Sequence, residues 1–211
     1  MKFGNVMDDR KEFLTKIYDQ MFNDIDRHHK IVWQTIGVLV GAFAVLALIE
    51  KHVISIDIAT GLIILLACWV IGHVYDSNYW YNRNLVIIAN IERQFLLASD
   101  LKEIHYYFGK HRNKNSIQTS LKIQMYFCLS VISIFIVYHF SESIYPGFEL
   151  ELNKDNFCPQ KIIPYFALII GIIFIIWIRY KRIKNYDEFL KNSPGITVDT
   201  TGITFGNGHP I

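Results

Sequence analysis

IVWQTIGVLVGAFAVLALI, residues 31–49, contains no Asp, Glu, Lys or Arg. At about 1.5 Å of rise per residue, a helix of this length reaches nearly across a hydrocarbon core of roughly 30 Å. Lipid offers no partner to a backbone N–H or C=O, so such a run must satisfy them internally as a helix. Three further runs share its character: Ile58–Val74, Ile123–Phe140 and Ile162–Ile178. The composition by itself, 52% apolar with a net charge of +2, would also suit a soluble domain. The clustering decides. It predicts an all-α membrane protein with four transmembrane helices, an amphipathic N-terminal helix, and a cytoplasmic helical hairpin between the second and third spans.

The basic residues set the orientation, because Lys and Arg accumulate on the cytoplasmic side of a membrane. Six of the 21 precede the first span, seven lie in Tyr75–Lys122 and five follow from Arg179 onward. Only Lys51, Lys154 and Lys161 fall in the other two loops, so 18 share one side. Both termini and the middle segment are therefore expected in the cytoplasm, and the acidic loop with Glu142, Glu149, Glu151 and Asp155 outside. Met1–Lys30 lacks the apolar core of a cleavable signal, and the first span is expected to act as an uncleaved anchor. Cys68 and Cys128 lie within spans, and Cys158 is expected to be a free thiol.

Five segments follow. Residues 1–30 form an amphipathic arm, with Leu14, Ile17, Tyr18, Met21, Phe22 and Ile25 at three- and four-residue spacing. Residues 31–75 form a first transmembrane hairpin, turning at Glu50-Lys51-His52, with Ser55 or Asp57 capping the returning helix. Residues 76–121 form the cytoplasmic helical segment. Residues 122–179 form a second transmembrane hairpin, and residues 180–211 a basic juxtamembrane stretch with a short tail. In that tail, Ile196–Phe205 alternates in strand fashion around a turn. It either adds a strand to another surface, is a remnant, or is disordered.

Three sets of residues stand out. Gly37, Gly41 and Ala44 make a small-residue stripe, and Gly171 lies mid-span, where small side chains let helices approach closely. The stripe suits packing inside one subunit as well as dimerisation. Beyond the second span, Tyr81, Leu85, Ile88, Ile91 and Phe95 line one side of a continuing helix. That stripe must be covered, since exposure costs roughly 25 cal/mol per Å² of apolar area; a cytoplasmic protein partner is one candidate. Trp80, Trp177, Arg179, Lys181 and Arg182 are expected as anchors at the inner face, aromatic and basic side chains favouring the headgroup level.

The arrangement from Asp8 to about Phe108, a polar helix, two spans and a trailing long helix, resembles small bacterial membrane proteins encoded beside antiviral systems. These are the SLATT family and four-span CRISPR-associated accessory proteins. The second pair of spans departs from the two-span family. The resemblance implies an effector or accessory whose assembly perturbs the inner membrane when a cytoplasmic partner senses infection.

No catalytic motif is present: the sequence lacks a P-loop, G-x-G-x-x-G after a strand, H-E-x-x-H and C-x-x-C. No Arg is followed five to seven residues later by the His that a HEPN-type ribonuclease needs. His73, Asp76, His105 and His111 could meet on the cytoplasmic side as a metal or acid–base site, although interfacial hydrogen bonding is the commoner role. Cytoplasmic basic residues are roughly matched by acidic ones and concentrate beside the bilayer, which suits anionic lipid heads rather than nucleic acid. The expectation is a non-enzymatic, cofactor-free, homo-oligomeric inner-membrane protein acting by self-assembly and partner docking. The alternatives are a small channel or transporter, with Ser130, Ser133 and Gln34 facing a pathway, and a membrane-embedded enzyme using His73, His105 or His111.

Overall fold

The structure, a computed structural model of the chain, describes residues 6–95, 114–146 and 158–193. Among the described residues there are five α-helices: α1 Val6–Ala42, α2 Ala44–Glu50, α3 Ile56–Phe95, α4 Thr119–His139 and α5 Ile163–Asn192. A π-helical turn, Phe140–Ile144, extends α4, and a 3-10 turn, Pro159–Ile162, precedes α5. No strand occurs among the described residues. Four helical stretches are long and apolar enough to cross a membrane: Asp9–Glu50, Ile56–Glu92, Thr119–Ile144 and Pro159–Asn192. The second arm of the expected cytoplasmic hairpin (Asp100–Gly109), most of the acidic loop and the strand-like tail lie outside the described residues.

The expected first span is interrupted once. At Phe43 the ladder tightens, its N–H bonding Val40 O at 3.1 Å and its carbonyl accepting from Leu46 N–H at 3.0 Å. Such i→i−3 bonds are the 3-10 pattern. The turn after α2 closes on paired bonds, His52 N–H to Ile49 O and Val53 N–H to Leu48 O, each 2.9 Å. This is a Schellman ending with His52 in the left-handed position, φ 57°. A Cβ is strained there, so His52→Gly should raise stability by about 1 kcal/mol, read by thermal unfolding in detergent.

The five consecutive segments regroup in space into two compact units, and α1, α3 and α5 each contribute to both. The first unit holds Met1–Lys30, Ser77–Ser116 and Arg182–Ile211; the second holds Ile31–Asp76 and Ile117–Lys181.

In the second, apolar unit α3 is the most enclosed helix. Its most apolar window is 61% buried, against 22%, 28% and 17% for the other three. The reason is its run of small residues, Ala59, Gly61, Ala67, Cys68 and Gly72, all buried. A Cβ on Gly61 would meet Ile163 Cγ2 at 3.1 Å, and one on Gly72 would meet the Phe174 ring at 2.5 Å. Around this seam Leu39, Ile64, Ile71, Cys128 and Ile132 form the core. By contrast the stretch of α5 from Ile163 to Ile178 is apolar on every side, with Ile169, Ile172, Ile173 and Ile176 exposed. A helix with no polar face is built for an apolar surround.

In the first unit, Ile25, Leu85 and Ile88 pack with Tyr18, Met21, Phe22 and Tyr81. Another face of α3 packs Tyr79 and Val86 with Tyr186, Phe189 and Leu190 of α5. Asn78, Asn82 and Asn84 are buried and Asn90 half-buried on its remaining faces, and each finds a partner. Asn78 and Asn82 both donate to Asn115 Oδ1, at 2.9 and 2.8 Å. Asn84 donates to the Met21 carbonyl at 3.4 Å, and Asn90 to Ser193 Oγ at 3.3 Å.

Glu92, on the same stretch of α3, lies roughly 27 Å along the helix past Val74, well beyond the apolar run. Its Oε1 accepts from the Tyr18 hydroxyl at 3.3 Å, while its buried Oε2 has no partner. Burial pushes this carboxyl up to about 7, the Tyr18 bond opposing only in part. Between the ordinary value of 4.5 and about 7 the folded chain thus binds more protons than the unfolded one. Stability conferred by this site should fall as pH rises through that window. The unfolding temperature in detergent should drop from pH 5 to pH 8 by less in Glu92→Gln, which still accepts from Tyr18, than in the wild type.

Candidate functional site

Ser55, not Asp57, caps the start of α3, its Oγ accepting from the Ile58 N–H at 3.3 Å. That leaves the Asp57 side chain free to turn inward. Its Oδ1 lies 2.8 Å from Nε2 of His139, at the end of α4. The other ring nitrogen, Nδ1, lies 3.3 Å from the hydroxyl of Tyr165, in the first turn of α5. The Tyr165 and His139 rings meet edge to face, centroids 5.4 Å apart. His139 is 0% exposed and Asp57 8%. Three helices of the apolar unit are thus tied at their ends by one hydrogen-bonded chain.

Local structure favours charge at both main positions. Asp57 is in the first turn of α3 and His139 in the last turn of α4. The positive end of one helix dipole and the negative end of the other support a carboxylate and an imidazolium respectively. Directly after His139 the ladder widens, Tyr145 N–H reaching Phe140 O at 2.8 Å. Short π-helical turns of this kind are frequent at functional sites. An Asp–His–Tyr chain can orient an imidazole, exchange a proton with it, and hold the helices that carry it.

Sequence reading did not find this site. It considered Asp57 as a possible helix cap, and joined neither His139 nor Tyr165 to it. The available signal was that the start of the second span, the end of the third and the start of the fourth are all expected on one side.

Of the helix-packing residues, Gly171 is buried against Cys68, whose Cβ would stand 3.0 Å from an added Cβ. Gly37 and Gly41 have nothing within 4 Å, and Ala44 is exposed. Gly61 and Gly72, the close-packed glycines of α3, were not anticipated. The expected docking stripe needs correction. Leu85, Ile88 and Ile91 are buried at 3%, 0% and 7%. Leu85 and Ile88 are covered by this chain's own α1, since the apolar face of the N-terminal arm is complementary to them. Tyr81 is half-buried, and only Phe95 remains exposed.

Of the anchors, Trp177, Arg179 and Lys181 are exposed, with Lys181 Nζ 5.0 Å from the Trp177 ring centre. Trp80 is instead half-buried, carrying the His28 ring at 5.7 Å and the Arg83 guanidinium at 5.2 Å. The half-buried Arg182 sits 5.0 Å over Tyr79. Of the histidines considered for chemistry, His73 packs edge-on against Trp69, centroids 4.6 Å apart. His105 and His111 lie outside the described residues. Ser130 and Ser133 are exposed and donate to the carbonyls of Tyr126 and Leu129, each at 2.9 Å. No group of three or more His, Cys, Asp or Glu side chains suited to a metal occurs among the described residues.

Among the described residues the fold is all-helical, with four helices long and apolar enough for a multi-pass membrane protein, and that defines its class. Narrower placement by likeness is not available: no protein-family model, no curated protein and no solved structure matches this chain.

Proposed function

We propose that this chain is a multi-pass protein of a bacterial inner membrane that acts by self-assembly rather than catalysis. Both termini and the segment between the second and third spans face the cytoplasm in this reading, which the one-sided distribution of Lys and Arg supports. The observation that carries it is the unequal use of glycine in the apolar unit. Gly61, Gly72 and Gly171 each receive a neighbouring helix, whereas Gly37 and Gly41 meet nothing. Glycine weakens a helix interior by about 1 kcal/mol relative to alanine, so an unused pair at i and i+4 is a cost without an intramolecular return. A second copy of the first span, crossing at that stripe, would use it. The sharper form, a membrane-perturbing effector or accessory of a bacterial defence system, rests on the likeness in layout. A cytoplasmic partner would find Phe95 still open, but not most of the stripe around it.

Mass measurement in nanodiscs and in mild detergent tests this. The wild type should be an oligomer, and Gly37→Ile with Gly41→Ile should shift it towards monomer with the fold intact by circular dichroism. A wild type that stays monomeric in lipid, or an unchanged mass in the double variant, refutes self-assembly through this face.

One observation favours a second reading, a small channel or transporter. Ionisable side chains buried in an apolar bundle commonly mark ion or proton pathways, and Asp57 with His139 is such a pair. Flux through liposomes containing the purified protein separates the two readings, since a scaffold leaves vesicles tight.

A further inference from the structure

We propose that Asp57, His139 and Tyr165 form a proton-binding site in the apolar unit, with the imidazole of His139 as the acceptor. This stands independently of self-assembly and turns on how the three groups divide their hydrogen bonds. Both ring nitrogens are engaged, Nε2 with Asp57 Oδ1 at 2.8 Å and Nδ1 with the Tyr165 hydroxyl at 3.3 Å. In the neutral ring Nε2–H donates to the carboxylate and Nδ1 accepts from the tyrosine. On uptake, a hydronium ion on the open side of Tyr165 gives a proton to the hydroxyl oxygen and leaves as water, while the hydroxyl's own proton passes to the Nδ1 lone pair. The Tyr165 oxygen then accepts from the new N–H. A hydroxyl is donor and acceptor at once, so both states are hydrogen-bonded with no heavy atom displaced. The local charge rises by one, from a carboxylate alone to a carboxylate–imidazolium pair.

A metal ion fits the same groups poorly. Asp57 and His139 are two ligands only, and no third His, Cys, Asp or Glu side chain joins them among the described residues. The proton has a route in, because Tyr165 is only half-buried while His139 is fully enclosed. Other titratable groups near these helix ends in sequence are Glu50, Lys51 and His52 after α2, Glu142 after α4, and Lys161 before α5. The first four are exposed and Lys161 is half-buried. His139 therefore takes its charge partner from α3 and its hydroxyl partner from α5, both across the bundle.

The test uses the full chain in lipid nanodiscs with 15N-labelled histidine side chains, followed by NMR from about pH 9 to about pH 5, the range in which imidazoles change charge. One ring, identified by its absence in His139→Gln, should show Nε2 protonated throughout and Nδ1 gaining a proton as pH falls. In Asp57→Asn, the conversion should move to a different pH, the charge facing Nε2 being gone. Tyr165→Phe should still convert but lose the slow exchange of the Nδ1 proton. A His139 ring in one protonation state throughout would overturn the proposal as a permanent pair or a purely neutral clamp. A conversion indifferent to Asp57→Asn would overturn it too. Should His139→Gln fail to fold, the Asp57 and Tyr165 variants identify the same resonance by its shift.

Discussion

Asp57→Ala lowers the unfolding free energy by about 3–5 kcal/mol, the usual cost of removing one partner from a buried pair. Asp57 and His139 are 11% and 0% exposed at the side chain, so water cannot replace the missing carboxylate. His139→Ala should cost a similar amount, since it strands the carboxylate and deprives the Tyr165 hydroxyl of its partner. The double variant Asp57→Leu with His139→Leu should recover most of the loss, because no charge is then left unpaired in an apolar surround. Reversible unfolding in bicelles by steric trapping gives these free energies, and with the double variant Asp57→Ala/His139→Ala the cycle closes and gives the coupling. A coupling near zero would mean that water reaches the pair and that it ties nothing together.

Gly171→Val is the second large effect. The partner is Cys68, whose Sγ is the nearest atom and can rotate, and whose Cβ, 3.0 Å from an added Cβ, is fixed to the backbone of α3. Overpacking of this kind costs about 1–3 kcal/mol, with Gly171→Ala at the lower end and valine at the upper end or beyond. Adding Cys68→Gly should restore part of the loss by removing the atoms that collide. Gly72→Ala should cost less, because it meets the far edge of the Phe174 ring, which can rotate away. Gly41→Ala has open space around it, and should leave the unfolding free energy of the single chain unchanged or raise it by up to about 1 kcal/mol. The same unfolding assay ranks the three. Equal effects at positions 171 and 41 would show that the close approach of α5 to α3 is absent.

These glycines mark how far the sequence could be read. Gly37, Gly41 and Gly171 all drew attention as small residues on apolar helices, yet only Gly171 is used within the chain. Spacing on one helix says that a face permits close approach; it does not say which helix approaches. Leu85 and Ile88 show the same limit from the other side. Their periodicity announced a face that had to be buried, and the Tyr18, Met21, Phe22 and Ile25 periodicity of the N-terminal arm announced another. That the two faces cover each other, leaving Phe95 open, required the packed chain.

Helix formation in the four apolar stretches follows from the sequence alone, because it depends on each segment satisfying its own backbone hydrogen bonds over sufficient length. The N-terminal arm, a cap at Ser55 or Asp57 and the long continuation of α3 were legible for the same reason: their causes lie within a few residues. Tertiary structure decided the rest. The Asp57–His139 contact joins residues 82 apart, and neither side chain carries a local mark of the other. Such a pair forms only once three helices have chosen their neighbours, and that choice depends on side-chain volumes meeting across the bundle rather than on any spacing along one chain.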